Sequence, residues 1–278
     1  MSWDRATYQA RVADEARRVR HPAASPDPTE VAAYRQAAEA AVGDLGGANL
    51  VVLGATPELR LMGLAAGAQV VAVDHSPLAW EVFADWVDDA RERRVEGSWE
   101  DLAHHVGGQV EVIVGDGVIG NLPSLDAAAT LLTAWRSVLG TGGVLILRQA
   151  LVPDALDTAR DAAPVLLDRH RAGELDPAEF GFGVRIVGHL ATCWDPSTGL
   201  LDGRAVYEAI DAWAPTPALS EAERSAIARY VYRGTNLVPA ASAWEATVAA
   251  AGFTMTTMAL RGRDWYRYYP VQVLAPEP

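Results

Sequence analysis

The sequence contains no lysine: all 23 of its basic residues are arginine. A Schiff-base nucleophile is therefore excluded, and with it pyridoxal-phosphate chemistry and lysine-dependent aldol cleavage. The same absence excludes the phosphate-binding loop that needs a lysine and the kinase pattern built on a strand lysine. Cysteine is almost as scarce. Cys193 stands alone, so no disulfide forms within the chain and no cysteine-based metal site can be assembled. The six histidines, at positions 21, 75, 104, 105, 170 and 189, lack the H-x-x-x-H spacing that puts two ligands on one helix face, so no metal is expected. No run of about 18 apolar residues is present, which argues against a membrane-spanning helix. The first thirty residues are arginine-rich without a long apolar stretch, so no secretory signal is expected. Positive charge is in deficit as well. With 36 acidic residues the formal charge is -13, a balance that argues against nucleic-acid and anionic-membrane partners. What remains is a reduced, cytoplasmic enzyme or binding protein with a small-molecule partner.

The 278 residues suffice for one large α/β domain with a modest cap, and 50% hydrophobic against 21% charged residues is an ordinary globular balance. Helical periodicity predicts an amphipathic helix over 2–20 and a second over 28–42, the latter after a proline-punctuated break in which Asp27 or Thr29 can serve as cap. Short, apolar, β-branched runs then alternate with helical stretches. Strands are expected at 49–53, 69–73, 94–96, 110–114 and 144–148, and helices at 57–66, 78–93 and 124–139, with Thr56 as N-cap of the first of these. Residues 140–143, Gly-Thr-Gly-Gly, read as a turn. Repeated β-α units imply a doubly wound, mostly parallel sheet. From 149 to 242 the pattern is mainly helical, with no further strong strand. Helices at 221–232 and 243–251 and strands at 253–260 and 268–274, joined by a short loop, close the chain as an antiparallel pair. The resulting division is 1–45 for N-terminal helices, 46–148 for a cofactor-binding core, 149–242 for a helical cap, and 243–278 for the closing elements.

The first βαβ unit carries the chemistry. A buried strand ends at Gly54 and a helix opens within three residues, bringing backbone N–H groups and the positive helix end to the strand tip. The second strand ends at Asp74, 20 positions later, where a carboxylate can take both hydroxyls of a ribose. The pair describes a nucleoside-containing ligand. The dinucleotide fingerprint wants glycines two and five positions after the first, and Thr56 and Leu59 stand there instead.

Five segments, in order, resemble the class I S-adenosylmethionine-dependent methyltransferases. LVVLGATPEL at 50–59 resembles motif I in a subgroup with a Thr-Pro-Glu-Leu turn, and VVAVDHSP at 70–77 the motif whose acid binds ribose. Gly97-Ser98-Trp99 is similar to the adenine-holding segment, VIVGDGVIGNLP at 112–123 to motif IV beside the sulfonium, and TGGVLILR at 141–148 to the strand-five motif. The resemblance implies a Rossmann-like α/β fold with a seven-stranded sheet and S-adenosylmethionine as cofactor. It assigns Gly54, Thr56 and Glu58 to the methionine end, Asp74, His75 and Ser76 to the ribose, Ser98 and Trp99 to adenine, and Asp116, Gly117 and Asn121 to the sulfonium side, with Asp116 and Asn121 as catalytic candidates. Two departures stand out: Val52 occupies a position that is often acidic, and Ser98 one that is often aspartate. Glu58 or Arg60 is then the candidate for holding the amino or carboxylate end of the cofactor.

Aromatics outside the core segments (Tyr8, Tyr34, Phe180, Phe182, Trp194, Tyr207, Trp213, Tyr230 and Tyr232) could face a sulfonium or ammonium. Arg185 or His189 could bind a substrate carboxylate. The leading function is methyl transfer to a small molecule. An alternative is a non-methylating use of the same cofactor, such as intramolecular cyclisation to azetidine-2-carboxylate with release of 5'-methylthioadenosine. A third is a nucleotide-binding regulator or dehydrogenase.

Overall fold

A computed structural model of the chain describes residues 23–215, 218–230 and 234–278. The helix expected over 2–20, with Tyr8, and also Tyr232 lie outside these residues. In chain order the core comprises helix α1 (Pro28–Val42), strand β1 (Asn49–Leu53), α2 (Pro57–Ala65), β2 (Gln69–Asp74), α3 (Pro77–Phe83), β3 (Glu92–Glu96), β4 (Val110–Asp116), α4 (Leu125–Val138) and β5 (Leu139–Arg148). A second layer holds α5 (Ala163–Arg171), α6 (Pro177–Phe182), β6 (Trp194–Asp195), β7 (Leu200–Asp202), α7 (Gly203–Trp213), α8 (Glu221–Ala228) and β8 (Thr235–Leu237). The chain closes with α9 (Ala241–Ala250), β9 (Phe253–Thr257) and β10 (Val271–Pro276).

Seven strands form one sheet in the order β3-β2-β1-β4-β5-β10-β9. β1 pairs in parallel with β2 and β4, and β10 runs antiparallel to both β5 and β9. This is the Rossmann-like, mostly parallel seven-stranded sheet with a reversed strand near its end that the sequence implies. Alternation along the strands builds two cores. Val51, Leu53, Ile113 and Leu145 face α4 and α9 through Leu132, Trp135 and Trp244. Leu50, Val52, Val112 and Ile146 face α1 and α2 through Tyr34, Leu59 and Met62. Because successive strand side chains point to opposite faces, a run apolar throughout can be buried only between two helical layers.

α1 begins as the sequence predicts. Asp27 accepts from the Thr29 and Glu30 N–H groups while the Glu30 carboxylate accepts from the Asp27 N–H, a reciprocal cap ahead of Pro28. Other boundaries differ. The helix expected over 78–93 stops at Phe83, because Arg60 donates to the carbonyls of Phe83 at 2.7 Å and Ala84 at 3.4 Å, satisfying the helix end from outside. The glycines of 140–143 do not make a turn: β5 starts at Leu139, and the glycines absorb a register irregularity where β5 meets Val110 and Val112 of β4. The helix expected over 221–232 ends at Ala228, and the strand expected to reach residue 260 ends at Thr257.

The region from 149 to 242 is not purely helical. β6, β7 and β8 form a small antiparallel sheet. At two or three residues each, these strands are too short to show a period. The layer has its own apolar cluster, including Val152, Leu166, Phe180, Val184, Leu201, Ile210 and Val238. No helix among the described residues is long and apolar enough to cross a membrane.

Candidate functional site

The tips of β2, β1 and β4 stand side by side at the point where the strand order reverses, the place at which open α/β sheets leave a crevice for ligands. At the β1 tip Gly54 takes φ +103, a conformation that L side chains rarely adopt. A Cβ there would lie 3.7 Å from Asp74 Oδ2 and 3.8 Å from Thr56 Oγ1, so the bare glycine opens a space bounded by these two side chains. Thr56 stands at the N-cap position of α2, as expected, but its hydroxyl makes no hydrogen bond to the helix. The capping role is therefore not realised.

Asp74 is held firmly. Its Oδ2 accepts from the Ala55 N–H at 3.1 Å and its Oδ1 from the Ser76 N–H at 2.8 Å. The β1 and β2 tips are thereby tied together through one carboxylate. Burial raises the Asp74 pKa, and the Ser76 N–H, His75 and the Ala55 N–H pull the other way. A carboxylate has about four lone-pair positions, and two remain on Asp74 after these bonds. His75 is exposed and Ser76 caps α3 with its side chain. Beside the β2 tip, the Trp99 indole N–H donates to the Val73 carbonyl at 2.7 Å, and the ring meets His75 edge-on with centroids 5.8 Å apart. The Ser98 hydroxyl accepts from the Glu100 N–H at 3.1 Å.

Arg60 has a different role from the one considered above. It is fully buried, pairs with Glu92 and reaches the Ala55 carbonyl, so it braces the β1 turn from behind. Glu58 is half-buried on the first turn of α2.

At the β4 tip, Asp116 is gripped by Arg148. Arg148 Nε donates to Asp116 Oδ1 at 2.7 Å, and a terminal guanidinium nitrogen donates to Oδ2 at 3.1 Å. The other terminal nitrogen donates to Glu30 at 2.8 Å, and the guanidinium lies 4.4 Å from the centre of the Tyr269 ring. Burial opposes the Arg148 charge, but Asp116, Glu30 and Tyr269 outweigh it and hold its pKa well above the ordinary value. Burial raises Glu30 despite Arg148, and it raises Tyr34, whose hydroxyl donates to the Gly115 carbonyl at 2.7 Å. Asp116 is thus an anchored carboxylate with both oxygens engaged. Gly117, at φ +64, leaves room for the Tyr269 hydroxyl, which would sit 2.7 Å from a Cβ at that position. Asn121 closes the turn by donating its side-chain N–H to the Gly117 carbonyl at 3.0 Å.

A cavity of about 190 Å³ opens beside this tip. Asp116, Gly117 and Asn121 border it, together with Phe182 and Arg185 from the second layer and Tyr269. Gly54, Asp74, Ser98 and Trp99 do not, so the site has two compartments: a crevice over β1 and β2, and a cavity beyond β4. Of the second-layer aromatics in the described residues, Phe182 and Tyr230 reach the cavity, whereas Phe180 and Trp194 pack in the layer's own cluster. His189 is buried, and burial followed by the Arg185 charge lowers its pKa. Sequence reading missed Arg148, Tyr269 and Asn236 as site residues. The one signal available was an arginine closing an otherwise apolar strand, VLILR.

No family model matches the chain, and no curated protein matches it. Among solved structures it is similar to a Rhodobacter sphaeroides protein provisionally assigned to the Zn-dependent alcohol dehydrogenases, at 15% identity and TM-score 0.53 over 87% of this chain and 90% of that one. It is also similar to magnesium protoporphyrin IX methyltransferase (ChlM) from Synechocystis PCC 6803 with bound SAH, at 12% identity and TM-score 0.49 over 97% and 95% of the two chains. An O-methyltransferase family protein from Burkholderia thailandensis gives 12% identity and TM-score 0.48 over 88% of this chain and 55% of that one. At 15% identity the first of these likenesses is one of fold alone.

Proposed function

We propose that the chain is a class I S-adenosylmethionine-dependent methyltransferase of a small molecule. The observation that carries this reading is the crevice at the switch point: the bare Gly54 tip, with Asp74 fixed by two backbone N–H groups and retaining two acceptor positions. Those positions fit the vicinal hydroxyls of an adenosine ribose. Gly54, Thr56 and Glu58 lie toward the methionine end, His75 and Ser76 beside the ribose, Ser98 and Trp99 toward adenine, and Gly117 at the boundary with the cavity. When bound, S-adenosylmethionine supplies an electrophilic methyl carbon activated by sulfonium charge. The chain's own contribution is positioning and exclusion of water. The second layer narrows the cavity to the size of a small molecule, and the chain's charge of -13 fits such an acceptor better than nucleic acid.

Asp116, tied to Arg148, serves to fix the β4 tip rather than to take a proton, and Asn121 shapes the entrance to the cavity. The test is incubation of the pure protein with S-adenosylmethionine, with and without candidate acceptors, and identification of the adenosine product. S-adenosylhomocysteine formed only with an acceptor supports methyl transfer. 5'-Methylthioadenosine formed without one supports the cyclase instead. Failure to bind S-adenosylhomocysteine in calorimetry removes both.

A further inference from the structure

We propose that the cavity beyond β4 receives an amine, held through its N–H groups by the side-chain oxygens of Asn121 and Asn236, so that nitrogen is the nucleophile. This rests on the methyltransferase reading above and names its acceptor class. Both asparagines border the cavity, and both are half-buried. Asn121 donates its side-chain N–H to the Gly117 carbonyl at 3.0 Å, and Asn236 donates its own to the Gly120 carbonyl at 3.3 Å. A carbonyl oxygen can only accept, so these bonds fix which way each amide points. What each asparagine has left is Oδ1, an acceptor, and neither oxygen accepts a hydrogen bond among the described residues. Two acceptors bordering one small cavity, one on the turn after β4 and one on β8, select a hydrogen-bond donor over a further acceptor.

The Asp116 pairing points the same way. It is the one carboxylate bordering the cavity among the described residues, and both its oxygens are bonded to Arg148. A hydroxyl nucleophile needs a base as it attacks. A neutral amine does not. Its lone pair forms the new nitrogen–carbon bond while the carbon–sulfur bond breaks and its electron pair passes to sulfur. The resulting ammonium then releases a proton to solvent. Arg185 borders the same cavity and, after burial, is the second cause that lowers the His189 pKa; its positive charge likewise favours entry of the amine in its neutral, nucleophilic form. Phe182, Tyr230 and Tyr269, with ring centroids 6.0 and 5.9 Å from Phe182 to the two tyrosines, offer aromatic faces to a flat apolar body.

Three flat probes of similar size separate the possibilities: aniline, toluene and benzoate, titrated calorimetrically into the full chain saturated with S-adenosylhomocysteine. Aniline should bind about tenfold tighter than toluene, with benzoate weakest. Asn236→Ala should shrink the difference between aniline and toluene, leaving only the share of Asn121, and leave S-adenosylhomocysteine affinity unchanged. If that variant does not fold, the ranking of the three probes on the native chain decides. Benzoate binding tighter than aniline overturns the inference and assigns the cavity to an anion. Equal binding of aniline and toluene, or binding of neither, overturns it. 5'-Methylthioadenosine formed from S-adenosylmethionine alone overturns it too, since the chain then cleaves its cofactor instead of methylating a bound amine. Loss of S-adenosylhomocysteine binding in the native chain removes the underlying methyltransferase reading, a result distinct from all of these.

Discussion

Replacing Asp74 by alanine removes the group on which the crevice depends, and the size of the effect can be worked from its contacts. Asp74 accepts the Ala55 N–H at 3.1 Å and the Ser76 N–H at 2.8 Å. Ala55 is only 3% exposed, so its N–H would be left buried without an acceptor, at a cost of about 1–3 kcal/mol in stability. In the ligand complex two ribose hydroxyls would lose bonds to a charged acceptor, each worth about 1.5 kcal/mol at the lower end. Together these come to roughly 3 kcal/mol, or about a hundredfold in Kd for S-adenosylhomocysteine. Asp74→Asn separates the two losses. An asparagine keeps one acceptor and turns an NH₂ toward one of the two backbone N–H groups, so it should fall between the native chain and the alanine variant in both stability and affinity. Isothermal titration gives the Kd, and chemical denaturation gives the stability. An alanine variant that folds and binds S-adenosylhomocysteine within threefold of the native chain would refute the ribose assignment outright.

Arg148→Met leaves Glu30 and Asp116 buried without their cation and should cost about 3–5 kcal/mol in urea denaturation; a loss under 1 kcal/mol would mean that the cluster is not held by charge. Gly54→Ala places a Cβ 3.7 Å from Asp74 Oδ2 on a backbone at φ +103. It should cost about 1–3 kcal/mol of stability and weaken S-adenosylhomocysteine binding as well, and unchanged binding would place the ligand elsewhere. The folded state holds the His189 pKa below its ordinary 6.5, through burial and then the Arg185 charge. The folded chain therefore takes up this proton less readily than the unfolded one, and stability falls as pH drops from about 6.5 toward the lowered value. His189→Gln should flatten that part of the stability–pH curve, and an identical slope in both proteins would show that another group governs it.

The sequence by itself determined the sheet and the first turn of the site. Strands buried on both faces are apolar along most of their length, and NLVVL, QVVAV and VEVIV, with one polar residue each near the start, point to a doubly wound core. The Gly54–Asp74 pairing was legible for the same reason, since both residues close strands whose register is fixed by burial. Boundaries that depend on distant partners were not legible. The helix after Asp74 ends where Arg60, 23 positions before Phe83, takes its carbonyls, and the short strands of the second layer exist only because they pair with one another. The contacts of Asp116 and Asn121 were likewise decided by tertiary structure. A local motif names a carboxylate and an amide at a strand tip, but only the fold brings Arg148 from β5 onto that carboxylate, with Glu30 from α1 on the same guanidinium. Only the fold, again, sets Asn236 and Tyr269 around the cavity. Charge and hydrogen-bonding state depend on what lies across the gap, and a linear motif does not encode that neighbour.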